Sequence, residues 1–205
     1  MNVTLFIIII TSLISILAMN NPALFDKLKF NAWDAKLPSH MYRFFTYALV
    51  HAGWVHLLIN MFVLYSFGGI VEHYFAYYFP GKSTFNFLLL YIGGVIISIL
   101  PAFGKHKNDV FYNAVGASGA VAAVVFSSII LFPGGKIIFM FLPVPVPSPL
   151  FGILYIAYSA YFAKHGKDNI GHDAHLWGAI FGLVFTIALK PALAGMFLDQ
   201  IKAMF

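Results

Sequence analysis

The sequence predicts an all-α membrane protein, a six-transmembrane-helix bundle with a structured interfacial first loop. Three observations carry that expectation. Of 205 residues, 61% are hydrophobic and only 9% charged, and the mean hydropathy is +0.87, outside the range of soluble domains. Apolar runs of about 17 to 23 residues recur along the chain, the length a helix needs to cross hydrocarbon. One long stretch, residues 20–54, instead mixes Asp26, Lys27, Lys29, Asp34, Lys36, His40 and Arg43 with Phe25, Phe30, Trp33, Tyr42, Phe44, Phe45 and Tyr47, as a segment at headgroup level does. The length allows a single polytopic membrane domain over residues 1–205 and no separate soluble domain. With no cysteine, disulfides, thiolate chemistry and zinc–thiolate sites are excluded. The net charge of +5 comes from twelve scattered Lys and Arg. It suits a lipid bilayer with anionic headgroups and gives no case for nucleic acid.

The elements follow in order. Val3–Met19 is uncharged and about 17 residues long, at the lower limit for a span. It lacks a basic leader and a small-x-small cleavage site, so it reads as a first span and not as a signal peptide. Residues 20–54 form the interfacial loop; a disordered linker would carry few aromatics. The second span covers 56–79, with His56 and Asn60 near its start and Gly68, Gly69 and Glu72 towards its end. Pro80-Gly81-Lys82-Ser83 is a turn. The third span covers 84–103, with Gly93-Gly94 offering a close approach to another helix. A polar loop, 104–113, leads to a fourth span over 114–132, which carries Ser118 and ends at Pro133-Gly134-Gly135. In 136–149, Pro143, Pro145, Pro147 and Pro149 forbid a regular helix, and the segment reads as re-entrant or interfacial. The fifth span covers 150–162. After a polar loop, 164–173, the sixth covers 174–189, opened by His175. An amphipathic tail, 191–205, completes the chain.

Three spans start from the side of the long loop, and their first turns hold the residues able to do chemistry. Ser118 sits in Gly116-Ala117-Ser118-Gly119, where small neighbours let a substrate backbone approach and the helix start favours negative charge. His56 and Asn60 are i, i+4 and share a face. His175, Gly178 and Gly182 share another, and Gly178-x-x-x-Gly182 opposite Gly119 and Ala123 lets the fourth and sixth spans touch backbone to backbone. That contact brings Ser118 within reach of His175, the arrangement a histidine base needs. His56, Asn60 and the Ser118 N–H are donors suited to an oxyanion. Asp173 is the nearest acid, but two residues before His175 it points elsewhere. Each residue also has a plainer role as interhelical hydrogen-bonding glue or as a helix cap.

Rival chemistries are weaker. His51, His56, His172 and His175 could supply imidazoles to a metal, but there is no HExxH and no i, i+4 pair of histidines. A proton relay would need polar residues continuing to the far side. The distal halves of the fourth and sixth spans offer only Ser127, Ser128 and Thr186.

These motifs together resemble the rhomboid family of intramembrane serine proteases, in its compact six-span bacterial form. Tyr42-Arg43-Phe44-Phe45-Thr46-Tyr47-Ala48-Leu49-Val50-His51 is similar to the family's Trp-Arg loop. His56-Leu57-Leu58-Ile59-Asn60 matches HxxxN, Gly116-Ala117-Ser118-Gly119 matches GxSG, and Ala174-His175-Leu176-Trp177-Gly178 with Gly182 matches AHxxGxxxG. Gly68-Gly69 with Glu72 resembles the end of the family's second span. The resemblance runs from about residue 42 to 189. It implies Ser118 as nucleophile, His175 as general base, and His56 and Asn60 at an oxyanion hole, with Gly116, Gly119, Gly178 and Gly182 supporting. It implies cleavage of transmembrane-helix protein substrates in or near their membrane segments, without metal or other cofactor, in a bacterial inner membrane with both termini cytoplasmic. A non-catalytic protein of the same fold that binds transmembrane helices is the alternative. Two positions depart from the pattern. Tyr42 replaces the usual Trp. Ala122 stands where many relatives have a Tyr packed on the catalytic His, so another group, Trp177 or an aromatic of the second or fifth span, must hold His175.

Orientation is contested within the sequence. Lys27, Lys29, Lys36, Arg43, Lys105, Lys107, Lys164 and Lys167 lie on the long-loop side, against Lys82, Lys136, Lys190 and Lys202 opposite. The positive-inside rule would put the long loop in the cytoplasm. The resemblance implies the extracytoplasmic side, and it is preferred because folded interfacial structure weakens the rule.

Overall fold

The computed structural model describes residues 2–139, 142–166 and 170–203; Lys167 of the sixth-span loop and the tip of the Pro-rich segment lie outside them. Each of the six predicted spans is found as one helix: α1 (Val3–Met19), α4 (Trp54–Tyr78), α5 (Ser83–His106), α6 (Ser118–Leu131), α7 (Ser148–His165) and α8 (His172–Leu189). By length and apolarity α4, α5 and α8 are long enough to cross a membrane, while α1 and α6 are shorter apolar helices. The protein is an all-α membrane bundle of the predicted class, with multiple passes.

α6 is the axis of that bundle. Every residue from Gly119 to Leu131 is buried, because α4, α5 and α8 surround it. α5 approaches closely where Gly94 lies on Ala120 and Ala123. α1 lies outside, packed on α4. There Gly68 leaves no room for a side chain against Thr4, and the Glu72 carboxylate accepts from the Thr4 N–H at 2.6 Å and the Thr4 hydroxyl at 2.5 Å. A carboxylate there satisfies orphan donors at the start of α1 and complements its dipole.

The first loop is structured, as expected. It contains α2 (Pro22–Leu28), three short 3-10 turns, a two-residue strand β1 (Phe30–Asn31) and α3 (Arg43–Thr46). Phe30 is fully buried and meets Phe44, Tyr47 and Phe103 edge-on. The buried Arg43 guanidinium donates to the carbonyls of Asp26 and Lys29 at 2.8 and 2.7 Å and faces Asp34 at 3.6 Å. Trp33, Leu37, Met41, Phe45 and Trp54 remain exposed, a rim suited to the interface. β1 pairs antiparallel with β2 (Asn113–Ala114), so the first loop grips the loop that leads into α6.

The fourth span was expected from residue 114, but α6 begins at Ser118. Gly116 stands at φ +107°, a conformation no helix contains. The Pro-rich segment, expected to be non-helical, is an antiparallel hairpin, β3 (Lys136–Phe139) with β4 (Leu142–Pro147). α9 (Ala192–Lys202) follows α8 and buries Leu193.

Candidate active site

Ser118 is the first residue of α6, and the backbone before it is held by two hydrogen bonds to the first loop. The Gly116 N–H donates to the Tyr47 carbonyl at 2.9 Å. The Ala117 N–H donates to Nε2 of His51 at 3.3 Å. Nδ1 of His51 lies 2.8 Å from the Ser15 hydroxyl, which also reaches the Leu49 carbonyl at 2.8 Å. Because Nε2 accepts, the proton of His51 sits on Nδ1 and points to Ser15. Burial, with His56 next to it, holds the His51 pKa down at about 3, which keeps the ring neutral. Tyr47 donates to the Val95 carbonyl at 2.6 Å and meets Ser98 at 3.1 Å, fixing the first loop to α5.

The backbone around Ser118 lies against the start of α8 and under the His56 ring. A side chain added at Gly178 would fall on the Gly119 backbone, one at Gly182 on the Ala123 backbone, and one at Gly119 would lie 3.2 Å from the Ala174 carbonyl. The residue after Ser118 therefore touches the residue before His175, at the first turns of two helices in backbone contact. A Cβ at Gly116 would lie 2.5 Å from Cε1 and 2.7 Å from Nε2 of His56, so that imidazole covers the loop just before Ser118. His51 meets the same ring edge-on at 4.9 Å. Asn60 is buried, and one of its amide hydrogens goes to the His56 carbonyl at 2.9 Å; the amide has a second. Asp173 turns away to Lys105, at 3.7 Å.

His175 has ring neighbours that sequence reasoning did not single out. Tyr155 of α7 lies 6.3 Å away, tilted by 32°, and His172 lies 6.2 Å away, edge-on. Trp177 is 41% exposed and is not the ring beside it; an aromatic of the fifth span is. His51 was weighed only as a metal ligand, yet both its nitrogens are engaged by Ala117 and Ser15. Nothing local in the sequence marks either residue, since their partners are remote in the chain.

The arrangement sets the helix start that carries the Ser118 hydroxyl against the helix start that carries the His175 imidazole, with the His56 ring over the same loop.

Comparison with known proteins agrees with the fold. The rhomboid domain model matches residues 38–192. The chain is 27% identical over 146 residues to the human presenilin-associated rhomboid-like protein, mitochondrial, covering 66% of this chain and 35% of that one. It is 30% identical over 164 residues to the Arabidopsis thaliana Rhomboid-like protein 11, chloroplastic (73% and 52%). It is 28% identical over 148 residues to Rhomboid protein 1, mitochondrial, of Saccharomyces cerevisiae (71% and 41%). The chain thus spans a third to a half of the length of these relatives. Their names place them in organelles, so they give no support to the bacterial inner membrane that was expected. With a rhomboid domain matched over most of its length and a helical bundle built around the GxSG segment, this chain belongs to the rhomboid family.

Proposed function

We propose that this chain is an intramembrane serine endopeptidase, which cuts peptide bonds in or near the membrane segments of transmembrane-helix proteins. His175 takes the proton of Ser118 as its oxygen attacks a substrate carbonyl. His56, Asn60 and the Ser118 N–H hold the oxyanion. His175 returns the proton to the leaving amine, and water then hydrolyses the acyl-enzyme. The observation that carries the reading is the Gly119–Gly178 backbone contact, which sets the Ser118 and His175 turns side by side under the His56 ring.

The length of α6 supports a site below the membrane surface. Its 14 residues span about 21 Å, roughly 9 Å short of the hydrocarbon thickness. Polar groups at that depth need water or protein around them, and the buried loop before Ser118 supplies a protein wall. A substrate helix must unwind locally to offer its backbone, so small or helix-breaking residues near the cut favour cleavage. We place the first loop and the site towards the extracytoplasmic side and both termini on the opposite side.

The test is labelling by a fluorophosphonate probe in detergent, with wild type, Ser118→Ala and His175→Ala side by side. Labelling of the wild type alone is expected. A folded, monodisperse wild type that takes no label removes the peptidase reading and leaves a helix-binding protein.

A further inference from the structure

We infer that Tyr155 is the positioning residue of this site: its ring, carried on α7, fills the hollow beside His175 and holds the imidazole towards Ser118. The inference rests on the peptidase reading above. One turn below Ser118 and His175 stand Ala122 and Ala179, both buried. Two alanines at matching heights on helices in backbone contact leave a hollow beside the paired turns. Tyr155 packs against the apolar cluster that these two alanines form with Val125, Phe126 and Ile129. Within that cluster its ring meets Phe126 at 5.5 Å, and Phe151 of its own helix lies 5.6 Å away. It therefore presents one settled face to His175, at 6.3 Å and 32°, the separation of an offset ring contact.

That face has a job. The side chain of His175 has two soft torsions, and the second is broad. A histidine base acts only when its nitrogen is within hydrogen-bond reach of the serine. A rigid plane on one side, with the edge of His172 at 6.2 Å as its other ring neighbour, narrows the range of the imidazole before substrate arrives. The contribution lies in the ring face and not in the hydroxyl, so phenylalanine should replace tyrosine.

The experiment uses the full chain in detergent, with labelling rates measured across fluorophosphonate concentrations. Tyr155→Phe is expected within about twofold of the wild-type maximal rate, whereas Tyr155→Ala falls by about tenfold or more, as small misplacements of catalytic groups do. The half-saturating probe concentration stays unchanged in both. Tyr155→Leu keeps most of the volume without the flat ring and is expected to fall like Tyr155→Ala while unfolding at the wild-type temperature. Restoring a ring from the other side, by adding Ala122→Phe to Tyr155→Ala, should recover the rate. Tyr155→Leu labelled at the wild-type rate overturns the proposal. A second arm needs no catalysis: carbethoxylation of His175 by diethyl pyrocarbonate, read by peptide mass spectrometry, should rise severalfold in Tyr155→Leu. A wild type that takes no label removes the peptidase reading; the carbethoxylation arm then still decides whether Tyr155 covers His175, and an unchanged rate overturns that too.

Discussion

One histidine outside the proposed dyad organises the loop that leads into Ser118. His51 accepts from Ala117 and donates to Ser15, so its neutral Nδ1–H form is the one that fits. Its pKa is about 3 in the fold and about 6.5 in an unfolded chain. Between those values the unfolded chain binds a proton here that the folded chain refuses. The contribution of this site to stability is therefore complete above pH 6.5 and is lost progressively as pH falls towards 3. His51→Gln can still bond both neighbours but cannot titrate. Unfolding in detergent between pH 6 and 4 should show a wild-type stability that declines more steeply than the variant's, by up to about 1.4 kcal/mol per pH unit for one proton. Parallel curves would remove this account. Glu72 makes a similar point at the other end of the bundle. Glu72→Gln weakens the grip on Val3 and Thr4 and should cost up to about 1.5–3 kcal/mol of stability, the range for hydrogen bonds to a charged group. Residues such as Ser118, His175, His56 and Asn60 were legible because each sits at a predictable height in its own span. The partners of His51 were not, because Ser15 and Ala117 come from two other parts of the chain and only the folded loop brings them together.

At the scale of elements, the decisive contact is the seam between α6 and α8, and it was legible as Gly178-x-x-x-Gly182 opposite Gly119 and Ala123. Small residues at i and i+4 leave a groove in which a second backbone lies. Gly178→Ala puts a methyl on the Gly119 backbone, and such overpacking costs about 1–3 kcal/mol. Fluorophosphonate labelling should fall with it, because the helices separate at the turn that carries Ser118 and His175. Gly104→Ala is the control: it is helical, has open space around it, and should be neutral or slightly stabilising in thermal unfolding. Equal losses in both variants would mean that the seam is not special. Further along that seam the Thr186 hydroxyl bonds Ser127 at 2.8 Å, so two of the three polar residues of the distal halves bind one another. The Pro-rich hairpin was not legible. Alternating prolines rule out a helix, but they also describe a strand with one silent edge. The Ser148 N–H reaches the Gly135 carbonyl, so the even residues of β4 face β3. Pro145 and Pro147 then face outward without an N–H, and that edge cannot accept another strand in a full ladder.

For the whole molecule, the central question is which side of the membrane the site faces, and here the charge count and the family resemblance point in opposite directions. The positive-inside rule counts Lys and Arg in short loops close to the ends of the spans. In the first loop, Arg43 is buried against backbone carbonyls, Lys29 pairs with Asp26 at 2.8 Å, and Lys36 lies over the Trp33 ring at 3.3 Å. Lys105 pairs with Asp173. Opposite, Lys190 lies over Tyr78 at 4.5 Å and Lys202 pairs with Asp199 at 3.9 Å. With these cations set aside, Lys27, Lys107 and Lys164, together with Lys167 outside the described residues, still stand against Lys82 and Lys136, so the charge count keeps its lean and stays opposed to the family orientation. The absence of cysteine makes a direct measurement clean, since one introduced thiol is the only one present. Lys107→Cys reports the side of the Ser118 loop and Lys136→Cys the side of the hairpin. Expressed in intact bacteria and treated with a membrane-impermeant maleimide, Lys107→Cys should label at once and Lys136→Cys only after lysis. The reverse pattern would place the loop that leads into Ser118 in the cytoplasm. Under the proposed activity, substrates would then have to present their cleavage segment from that side.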